Sequence, residues 1–537
     1  MPRLPHGLEI TPQTARDARE EAASRVADVS LGFAALKPVD LRRFDYLFLE
    51  LQEDDNNLLP VSRQTRDALR DLGLAMADDG TDNPAGDSEI SAAYTYFGQF
   101  VDHDVTLEAS SAPGSRLTAG DLKPLPLNRI RDETLNLRTG ALELDSLYGL
   151  PAEKDPQESS KMRIGKVTDL GDQPIPGSRP PGKKDKNDLH REKRNADATH
   201  DRAALIGDPR NDENTIIAKL HVAFLLAHNR LAEETDPPNR FRKAKKRLRR
   251  HYQHVVVHDF LKQIADPAIV DDTIENGNRV YDPDEDEFFM PLEFSVAAFR
   301  FGHSMVRSAY DFNVNFNTGG PPAFPASLDL LFTFTALSGE LGDFDTLPEN
   351  WIIEWENFFD PQGGEPKSKA RAIDTQLVEP LQRLRIVTGQ QEGGLAASLA
   401  ARNLLRGYLL RMPTGQAVAR ALGQVFGSSR EIPVLTRPQI RDAAANQAQI
   451  DALEAGGFLA RTPLWYYILA EAAVLGDGQR LGPVGSTLVA EVLVGLVRRS
   501  PDSILAPGTT WKPNLPRQND DEFTLADLLR FAGVLEG

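Results

Sequence analysis

An imidazole flanked by two carboxylates is the feature of this sequence with the clearest chemical potential. Residues 97–105 read FGQFVDHDV, which places His103 between Asp102 and Asp104 and four residues after Gln99. If this segment is a helix, Gln99, Asp102 and His103 point toward one face. Asp104 then points about a quarter-turn away. One face of such a helix would hold a reactive centre, and the next residue would serve a separate cation.

Two other segments carry groups that suit a metal or a charged substrate. His303 ends the motif FRFGH within an apolar stretch, which suits an axial metal ligand in an apolar pocket. A buried histidine that is hydrogen-bonded to a carbonyl group is the alternative for a lone His303. Arg210 and Glu213 lie in DPRNDEN, immediately before a long apolar helix. The alternative for this motif is a helix N-terminus with acidic residues in the first turn.

Oxygen-bearing and imidazole side chains also recur in two weaker patterns. Thr139, Glu143 and Asp145 follow one another at a spacing near two, which suits the hard oxygen ligands of Ca²⁺. An acidic solvated turn would show the same pattern. The histidines of HYQHVVVH, at positions 251, 254 and 258, share a helix face, but no HExxH motif is present. We interpret them as an ordinary helix face rather than a zinc site.

Composition limits the classes of function. The chain has 61 basic and 79 acidic residues and a net charge of −18, which argues against a general affinity for nucleic acid or anionic membranes. The absence of cysteine excludes disulfides, thiolate metal sites and a thiolate ligand to haem. No apolar run reaches membrane-spanning length, and the N-terminus lacks the apolar core of a signal peptide. We expect a soluble protein with no visible export signal, either cytoplasmic or exported by a signal-less route; its oligomeric state is left open.

Helical periodicity dominates the chain. It predicts helices over residues 215–234, 245–265, 396–411, 464–475 and 484–498, and one short hairpin or irregular piece over 310–316. Pro, Gly and charged residues predict long surface connections over 150–210, 317–325 and 360–368. The fold class is therefore mainly α-helical, with little β-structure. Because the informative motifs are spread from 97 to 416, we expect one large domain over residues 90–500, with an N-terminal extension over 1–89 and a C-terminal extension over 501–537.

The motifs taken together have a family resemblance. FGQFVDHD, the R-x-x-E of Arg210 and Glu213 before a helix carrying HNRLA, then FRFGH, and finally RLGPVG at 480–485 occur in this order. They resemble the bacterial branch of the animal-type haem peroxidase family, the peroxidase–cyclooxygenase superfamily. The resemblance covers residues 90–500. It implies a haem peroxidase domain and a haem b cofactor.

The resemblance also implies roles for individual residues. His103 matches the distal histidine that acts as acid and base, with Gln99 lining the same cavity. Arg210 matches the arginine that stabilises the departing oxygen of hydrogen peroxide, and His303 matches the axial ligand of the haem iron. Further residues are implied to contact the haem, namely Asp102 and Glu213 through ester bonds and Gln416 as the hydrogen-bond acceptor of His303. The implied calcium ligands are Asp104, Thr139, Ala141 through its carbonyl, Glu143 and Asp145.

Four positions depart from the family pattern. Gln416 stands where the partner of the axial histidine is usually Asn, and Glu143 replaces the usual Asp. Asn214 follows Glu213 where the mammalian leukocyte enzyme has a Met bonded to haem, so no sulfonium link is expected. Arg300 lies three residues before His303, where cyclooxygenase-type members carry a radical Tyr.

Three functions are therefore weighed. The first is a peroxidase that uses hydrogen peroxide to oxidise a small organic donor or a halide. The second is a haem-dependent fatty-acid dioxygenase of the same superfamily, which Arg300 disfavours unless another tyrosine such as Tyr96 takes the radical role. The third is a non-catalytic haem-binding helical protein, which the joint presence of His103, Arg210 and His303 makes the least attractive.

Overall fold

A computed structural model describes most of the chain. The described residues are 42–78, 87–110, 117, 120–149, 152–171, 186–197, 200–282, 288–319, 324–361, 363–384, 395, 397–519 and 522–536. Most of the predicted N-terminal extension and much of the predicted connection over 150–210 lie outside them.

Helices form most of the described structure. Sixteen α-helices occur in the described residues: α1 Arg63–Ala75, α2 Ala92–Val105, α3 Leu127–Glu133, α4 Asp145–Tyr148, α5 Thr215–Glu233, α6 Arg240–His254, α7 Leu261–Ile264, α8 Pro267–Asn276, α9 Leu328–Thr333, α10 Leu399–Leu409, α11 Gly415–Phe426, α12 Arg437–Asp442, α13 Gln447–Gly456, α14 Leu464–Leu475, α15 Pro483–Arg499 and α16 Leu525–Ala532. The predicted mainly α-helical fold class is confirmed.

Strands are short and lie at the periphery of this helical core. They are β1 Arg42–Asp45, β2 Asp87–Ser91, β3 Glu108–Ser110, β4 Thr134–Asn136, β5 Gly165–Lys166, β6 Asn187–Asp188, β7 Phe289–Pro291, β8 Ala309–Tyr310, β9 Ala326–Ser327 and β10 Lys369–Arg371. The largest described sheet has the order β3-β4-β1-β7, in which β1 pairs parallel with β7 and antiparallel with β4. Residues 42–45 therefore share a sheet with residues from the middle of the chain.

The predicted helices agree well with the observed ones, with one informative difference. The prediction over 464–475 coincides with α14, and those over 215–234 and 484–498 match α5 and α15 to within a residue. The single helix predicted over 245–265 is instead α6, a π-helical segment Val255–Phe260 and α7 in succession. The short hairpin or irregular piece predicted over 310–316 has regular strand pairing at Tyr310, and the chain then turns back on itself through an antiparallel bridge between Asn313 and Phe316.

Stacked aromatic rings fix α2 against α5. Phe100 stacks on Phe224 with ring centroids 4.7 Å apart, and Phe97 meets Phe260 edge to face at 5.5 Å. All four rings are almost fully buried. Such aromatic pairs contribute about 0.5–1.5 kcal/mol beyond their buried area. These aromatic contacts therefore hold the helix that carries His103 on the side of α5 and Phe260.

The RLGPVG motif has a structural role in the fold. The buried Glu471 carboxylate on α14 accepts hydrogen bonds from the Val484 and Gly485 N–H groups at the start of α15, at 2.9 and 3.1 Å. A Cβ at Gly482 would overlap the Glu471 side chain. Burial raises the pKa of Glu471 to about 8. Glycine is required here so that a carboxylate can reach the helix terminus.

Among the described residues, no helix is both long enough and apolar enough to cross a bilayer.

Two helix glycines give a matched test of packing between α1 and α10. A Cβ at Gly73 would lie 2.6 Å from the Ala401 backbone nitrogen, whereas a Cβ at Gly423 would meet only the Ile432 carbonyl oxygen at 4.0 Å. We expect Gly73→Ala to lower the free energy of unfolding by about 1–3 kcal/mol through overpacking. Gly423→Ala should be neutral or stabilise by about 0.5–1 kcal/mol through helix propensity. Urea denaturation measures both, and equal effects would contradict this packing.

Candidate active site

A cavity of about 420 Å³, called the central cavity below, lies between α2, the 3-10 helix Ala298–His303 and α10. Its lining includes His103 on one element and His303 on another, together with Arg210, Gln99 and Asn403. Its volume falls within the range of cofactor and ligand sites. Residues separated by two hundred positions in the sequence therefore face one enclosed space.

His103 lies on the cavity wall as a neutral base. Its Nδ1 atom is 2.7 Å from Asn211 Oδ1, and its Nε2 atom is 4.0 Å from Glu213 Oε1. Asn211 Oδ1 is an acceptor only, so the ring proton resides on Nδ1. Burial, followed by the positive charge of Arg210, holds the pKa of His103 below its usual value of 6.5. The Nε2 lone pair is therefore free to accept a proton at neutral pH.

A buried carboxylate positions Arg210. Asp208 is fully buried and accepts hydrogen bonds from Arg138 and from the backbone and side chain of Arg210. Arg210 Nη2 also donates to the Thr106 carbonyl at 2.5 Å, at the C-terminal end of α2. Although burial opposes it, attraction to Arg210 and Arg138 holds the pKa of Asp208 far below its ordinary value. The Nη1 group of Arg210 makes no hydrogen bond within the described residues and remains for a substrate.

Local capping explains why DPRNDEN adopts this shape. Asp208 caps the 3-10 turn Pro209–Asp212, and Asn214 caps α5 by accepting from the Ile217 N–H at 2.9 Å. The capping interpretation of this motif is thus correct for its first and last residues. Arg210 and Glu213, which lie between the caps, line the central cavity. One motif therefore both starts a helix and equips the cavity.

Three predicted residues lie together beside His103. Gln99 donates from its amide to the Glu213 carboxylate and accepts from Asn214 Nδ2 at 3.2 Å. Asp102 lines the cavity and accepts from the Thr106 hydroxyl at 2.9 Å. Gln99, Asp102 and Glu213 therefore surround the face on which the Nε2 atom of His103 lies.

On the opposite wall, the partner of His303 is Asn403 rather than Gln416. Asn403 Nδ2 lies 2.9 Å from His303 Nδ1, and Asn403 Oδ1 accepts from Arg300 Nη1 at 3.2 Å. Because a guanidinium can only donate, Arg300 directs the amide nitrogen toward His303. The prediction that Gln416 accepts a hydrogen bond from His303 is wrong.

The position of Gln416 explains this correction. Gln416 lies in the first turn of α11 and hydrogen-bonds both the Thr462 hydroxyl and the Thr462 N–H, at 2.7 and 2.9 Å. Asn403 lies within α10, on the face toward the 3-10 helix of His303. The segment 403–416 has an amide residue at each end, and only packing shows which one reaches the histidine.

Arginines on the His303 side were missed by the sequence analysis as binding residues. Arg300, Arg402 and Arg406 all line the central cavity. Burial lowers the pKa values of Arg300 and Arg402, and the charge of Arg300 lowers that of Arg402 further. Among the described residues, neither Arg300 nor Arg402 forms an ion pair with a carboxylate. Two guanidinium groups that line a cavity without a carboxylate partner favour the binding of an anionic group.

The predicted calcium ligands lie near one another but have protein partners. Asp104 accepts from the Leu144 N–H at 3.0 Å, and Glu143 accepts from the Thr139 hydroxyl at 2.8 Å and pairs with Arg249 at 2.8 Å. The Ala141 carbonyl accepts from the Glu143 N–H, and Asp145 Oδ2 lies 3.2 Å from the Thr139 hydroxyl.

Metal binding by these residues is not supported. No three His, Asp or Glu side chains in the described part of the chain are arranged to hold a metal ion. The calcium set does not fit a calcium ion, because Arg249 already neutralises Glu143, and we derive no role for calcium. The rings of His254 and His258 lie 4.5 Å apart.

These features define a mainly helical protein with one buried cavity between two histidines on different elements. Residues 128–334 match the family model of the animal haem peroxidases, a range that includes Arg210, Glu213 and His303 but begins after His103. Residues 128–334 are therefore similar to an animal haem peroxidase domain, and the match covers less than half of the chain.

Similar curated proteins are distant and much longer. The chain is 29% identical over 222 residues to a peroxidase-like protein of Margaritifera margaritifera, covering 37% of this chain and 26% of that protein. It is 22% identical over 290 residues to the peroxidasin homolog pxn-2 of Caenorhabditis elegans, covering 43% of this chain and 21% of that protein. The chain thus spans about a quarter or less of these relatives.

Solved structures support the fold over nearly the whole chain. Peroxidase A from Dictyostelium discoideum superposes with a TM-score of 0.56 at 18% identity, covering 87% of this chain and 89% of that one. The fatty acid alpha-dioxygenase of Arabidopsis thaliana superposes with a TM-score of 0.51 at 13% identity, covering 89% and 75%. At these identities the superpositions establish the fold alone.

Replacing Asp208 with Asn tests the buried ion cluster. We expect Asp208→Asn to lower the free energy of unfolding at pH 7 by about 3 kcal/mol, because Arg138 and Arg210 lose their counter-ion. The folded-state pKa of Asp208 lies below its unfolded value of about 3.9, so its stabilisation is complete above that pH and is lost as the pH falls further. Urea denaturation as a function of pH measures both effects.

The wild-type chain should consequently lose stability more steeply than Asp208→Asn below about pH 4. Asp442→Asn, at the exposed end of α12, is the control and should change neither quantity. Parallel acid profiles for the wild type and Asp208→Asn would show that this cluster does not stabilise the fold.

Proposed function

We propose that this protein is a haem-dependent peroxidase that uses hydrogen peroxide to oxidise a small organic donor or a halide. The observation that carries the proposal is a neutral histidine base, His103, and a second histidine, His303, on the walls of one buried cavity. The similarity of residues 128–334 to the animal haem peroxidase family model, which implies haem, supports it. We infer that the functional unit spans residues 90–500, flanked by extensions over 1–89 and 501–537.

The residues of the cavity fit a haem. His303 would bind the iron, and Arg300 and Arg402 would meet the two carboxylates of the porphyrin. Asp102 and Glu213 lie on the His103 side, where we propose ester bonds to the haem edge. The bound haem supplies the iron at which the peroxide O–O bond is broken.

His103 performs the proton transfer in this proposal. Its Nε2 lone pair accepts a proton from the inner oxygen of hydrogen peroxide and returns it to the outer oxygen, which leaves as water. The hydrogen bond from Nδ1 to Asn211 stabilises the ring while it carries both protons. Because the pKa of His103 is held below 6.5, the base is neutral at physiological pH.

Arg210 stabilises charge on the departing oxygen. Asp208 and the Thr106 carbonyl fix its Nε and Nη2 groups, so the guanidinium pays little conformational entropy when Nη1 meets the substrate. Gln99 orients the Glu213 carboxylate beside the same space. The chain thus provides a base and a fixed cation, which are the two groups that heterolysis of a peroxide needs.

Asn403 tunes the other wall. Its amide nitrogen lies 2.9 Å from His303 Nδ1, so Asn403 would fix the orientation of the His303 ring if this histidine bound the haem iron.

The dioxygenase alternative is weaker on the same geometry. Arg300 occupies the position of the radical tyrosine, and its guanidinium donates to the Ser295 carbonyl at 3.0 Å and to Asn403. A guanidinium at this position cannot form the radical that abstracts a hydrogen atom from a fatty acid. The superposition with a fatty acid alpha-dioxygenase supports only a shared fold.

Absorption spectroscopy of the haem-supplemented protein is the direct test. The wild type should show a Soret band that changes on addition of hydrogen peroxide. His303→Ala should lose the absorption that depends on binding of the iron by His303. His103→Ala should keep the Soret band but cleave peroxide about 100-fold more slowly. His258→Ala removes a histidine outside the cavity and should behave as wild type. A wild-type chain that binds no haem would overturn the proposal.

The pH dependence of peroxide cleavage is a separate test of His103. Since the pKa of His103 lies below 6.5, the rate constant should stay level as the pH falls to 6.5 and decline only below it. Stopped-flow measurements from pH 4 upward record this limb. A decline centred above pH 6.5 would show that another group controls the reaction.

A further inference from the structure

A chain of buried side chains lies behind His103. Asn211 Oδ1 is 2.7 Å from His103 Nδ1, and Asn211 Nδ2 is 2.9 Å from Nδ1 of His221, one helical turn and a half into α5. Asn211 and His221 are fully buried, and His103 is 5% exposed. His221 Nε2 is buried and has no hydrogen-bond partner in the described structure. The side-chain amide of Asn211 therefore connects His103 to His221 through hydrogen bonds.

An amide between two imidazoles allows two proton arrangements. With Oδ1 toward His103 and Nδ2 toward His221, His103 is protonated on Nδ1 and presents a lone pair on Nε2. If the amide turned over, Nδ2 would face His103, the ring proton would move to Nε2, and the base facing the cavity would be lost. The orientation of Asn211 thus decides whether His103 can act.

We propose that Asn211 is a positioning residue that sets the reactive tautomer of His103, with His221 holding the Asn211 amide in the productive orientation. This inference rests on the proposed peroxidase function for its kinetic consequence, but the tautomer itself is a property of the folded chain. Asn211 does not line the central cavity and acts only through His103.

The surroundings of His221 restrict its behaviour. Burial lowers the pKa of His221 to about 3, although the Asp208 charge acts in the opposite direction. The Phe100 ring meets it edge to face at 6.0 Å. A neutral imidazole whose Nδ1 lone pair accepts from Asn211 is the state that keeps the amide nitrogen turned away from His103.

The groups that face His103 come from every element around it. Arg210 and Glu213 lie on the segment that follows Asp208, Asp102 lies on α2, and Asp208 lies behind Arg210. Of these, Arg210 opposes protonation of His103, and the three carboxylates favour it. A substitution at position 211 leaves the charges of these four residues unchanged. A shift in the pH profile of peroxide cleavage therefore reports the contact between residue 211 and His103.

Two substitutions at Asn211 separate its roles. Asn211→Asp keeps an oxygen acceptor for His103 Nδ1 and adds a negative charge, so the acid limb of the peroxide-cleavage profile should move up by about one pH unit or more. Asn211→Leu removes the acceptor, and the rate constant for peroxide cleavage should fall about tenfold or more while the KM for the electron donor is unchanged.

Controls distinguish positioning from stability. Asn229 lies on the same helix as His221 and uses its amide on both the N–H and the carbonyl of Met162, at 2.6 and 2.9 Å, remote from the cavity. Asn229→Leu should leave the pH profile and rate unaltered. His221→Phe should lower the cleavage rate in the same direction as Asn211→Leu, because the amide is then free to turn. Equal profiles for wild type and Asn211→Asp would overturn the proposal.

Nitrogen-15 NMR of the full-length chain, labelled at histidine, reads the tautomer without any turnover. The resonance that is lost in His103→Ala should show a protonated Nδ1 and an unprotonated Nε2 in the wild type, and the unprotonated Nε2 signal should weaken in Asn211→Leu. A wild-type His103 protonated on Nε2 would overturn the inference. If the tautomer is as proposed and peroxide is not cleaved, the proposed function fails while the positioning role stands.

Discussion

The salt bridge from Asp208 to two guanidinium groups is the contact on which the active-site geometry depends. A fully buried carboxylate is stable only with fixed counter-charges, and Arg138 and Arg210 supply them from two different segments. Arg210 also grips the carbonyl at the end of α2. One ion cluster therefore sets the distance between the helix that carries His103 and the segment that carries Asn211 and Arg210.

The two walls of the central cavity differ in their charged groups. On the His103 side, burial keeps an imidazole neutral and surrounds it with carboxylates, which suits a base that must accept and release one proton. On the His303 side, Arg300 and Arg402 are buried without a carboxylate partner among the described residues, which suits an anionic ligand. Proton transfer therefore belongs to the His103 wall and ligand binding to the His303 wall. A substitution that weakens ligand binding on the His303 wall need not alter His103 as a base.

The sequence located His103, Arg210 and His303 because each lies in a short motif whose residue types are costly to bury without a function. The helical core was predictable from periodicity, as the agreement at α5 and α14 shows. Asn403 was missed since a segment with an amide at each end does not show which end packs on His303. The π-helical segment Val255–Phe260 was missed because its apolar pattern is shared with ordinary helix. Asn211 lies between two charged residues, Arg210 and Asp212, in the sequence. Only its contacts with His103 and His221 in the folded chain show its role.

The walls of the central cavity come from widely separated parts of the chain, from Gln99 on α2 to Asn403 on α10. A ribosome synthesising this protein has therefore made most of the chain before the second wall exists. Any prosthetic group held between the two histidines must be captured after α10 has emerged and docked. Loading is in that sense a late event in biosynthesis, and a truncated translation product that ends before residue 403 would leave the ribosome with His103 and His303 but without the amide that completes their pocket.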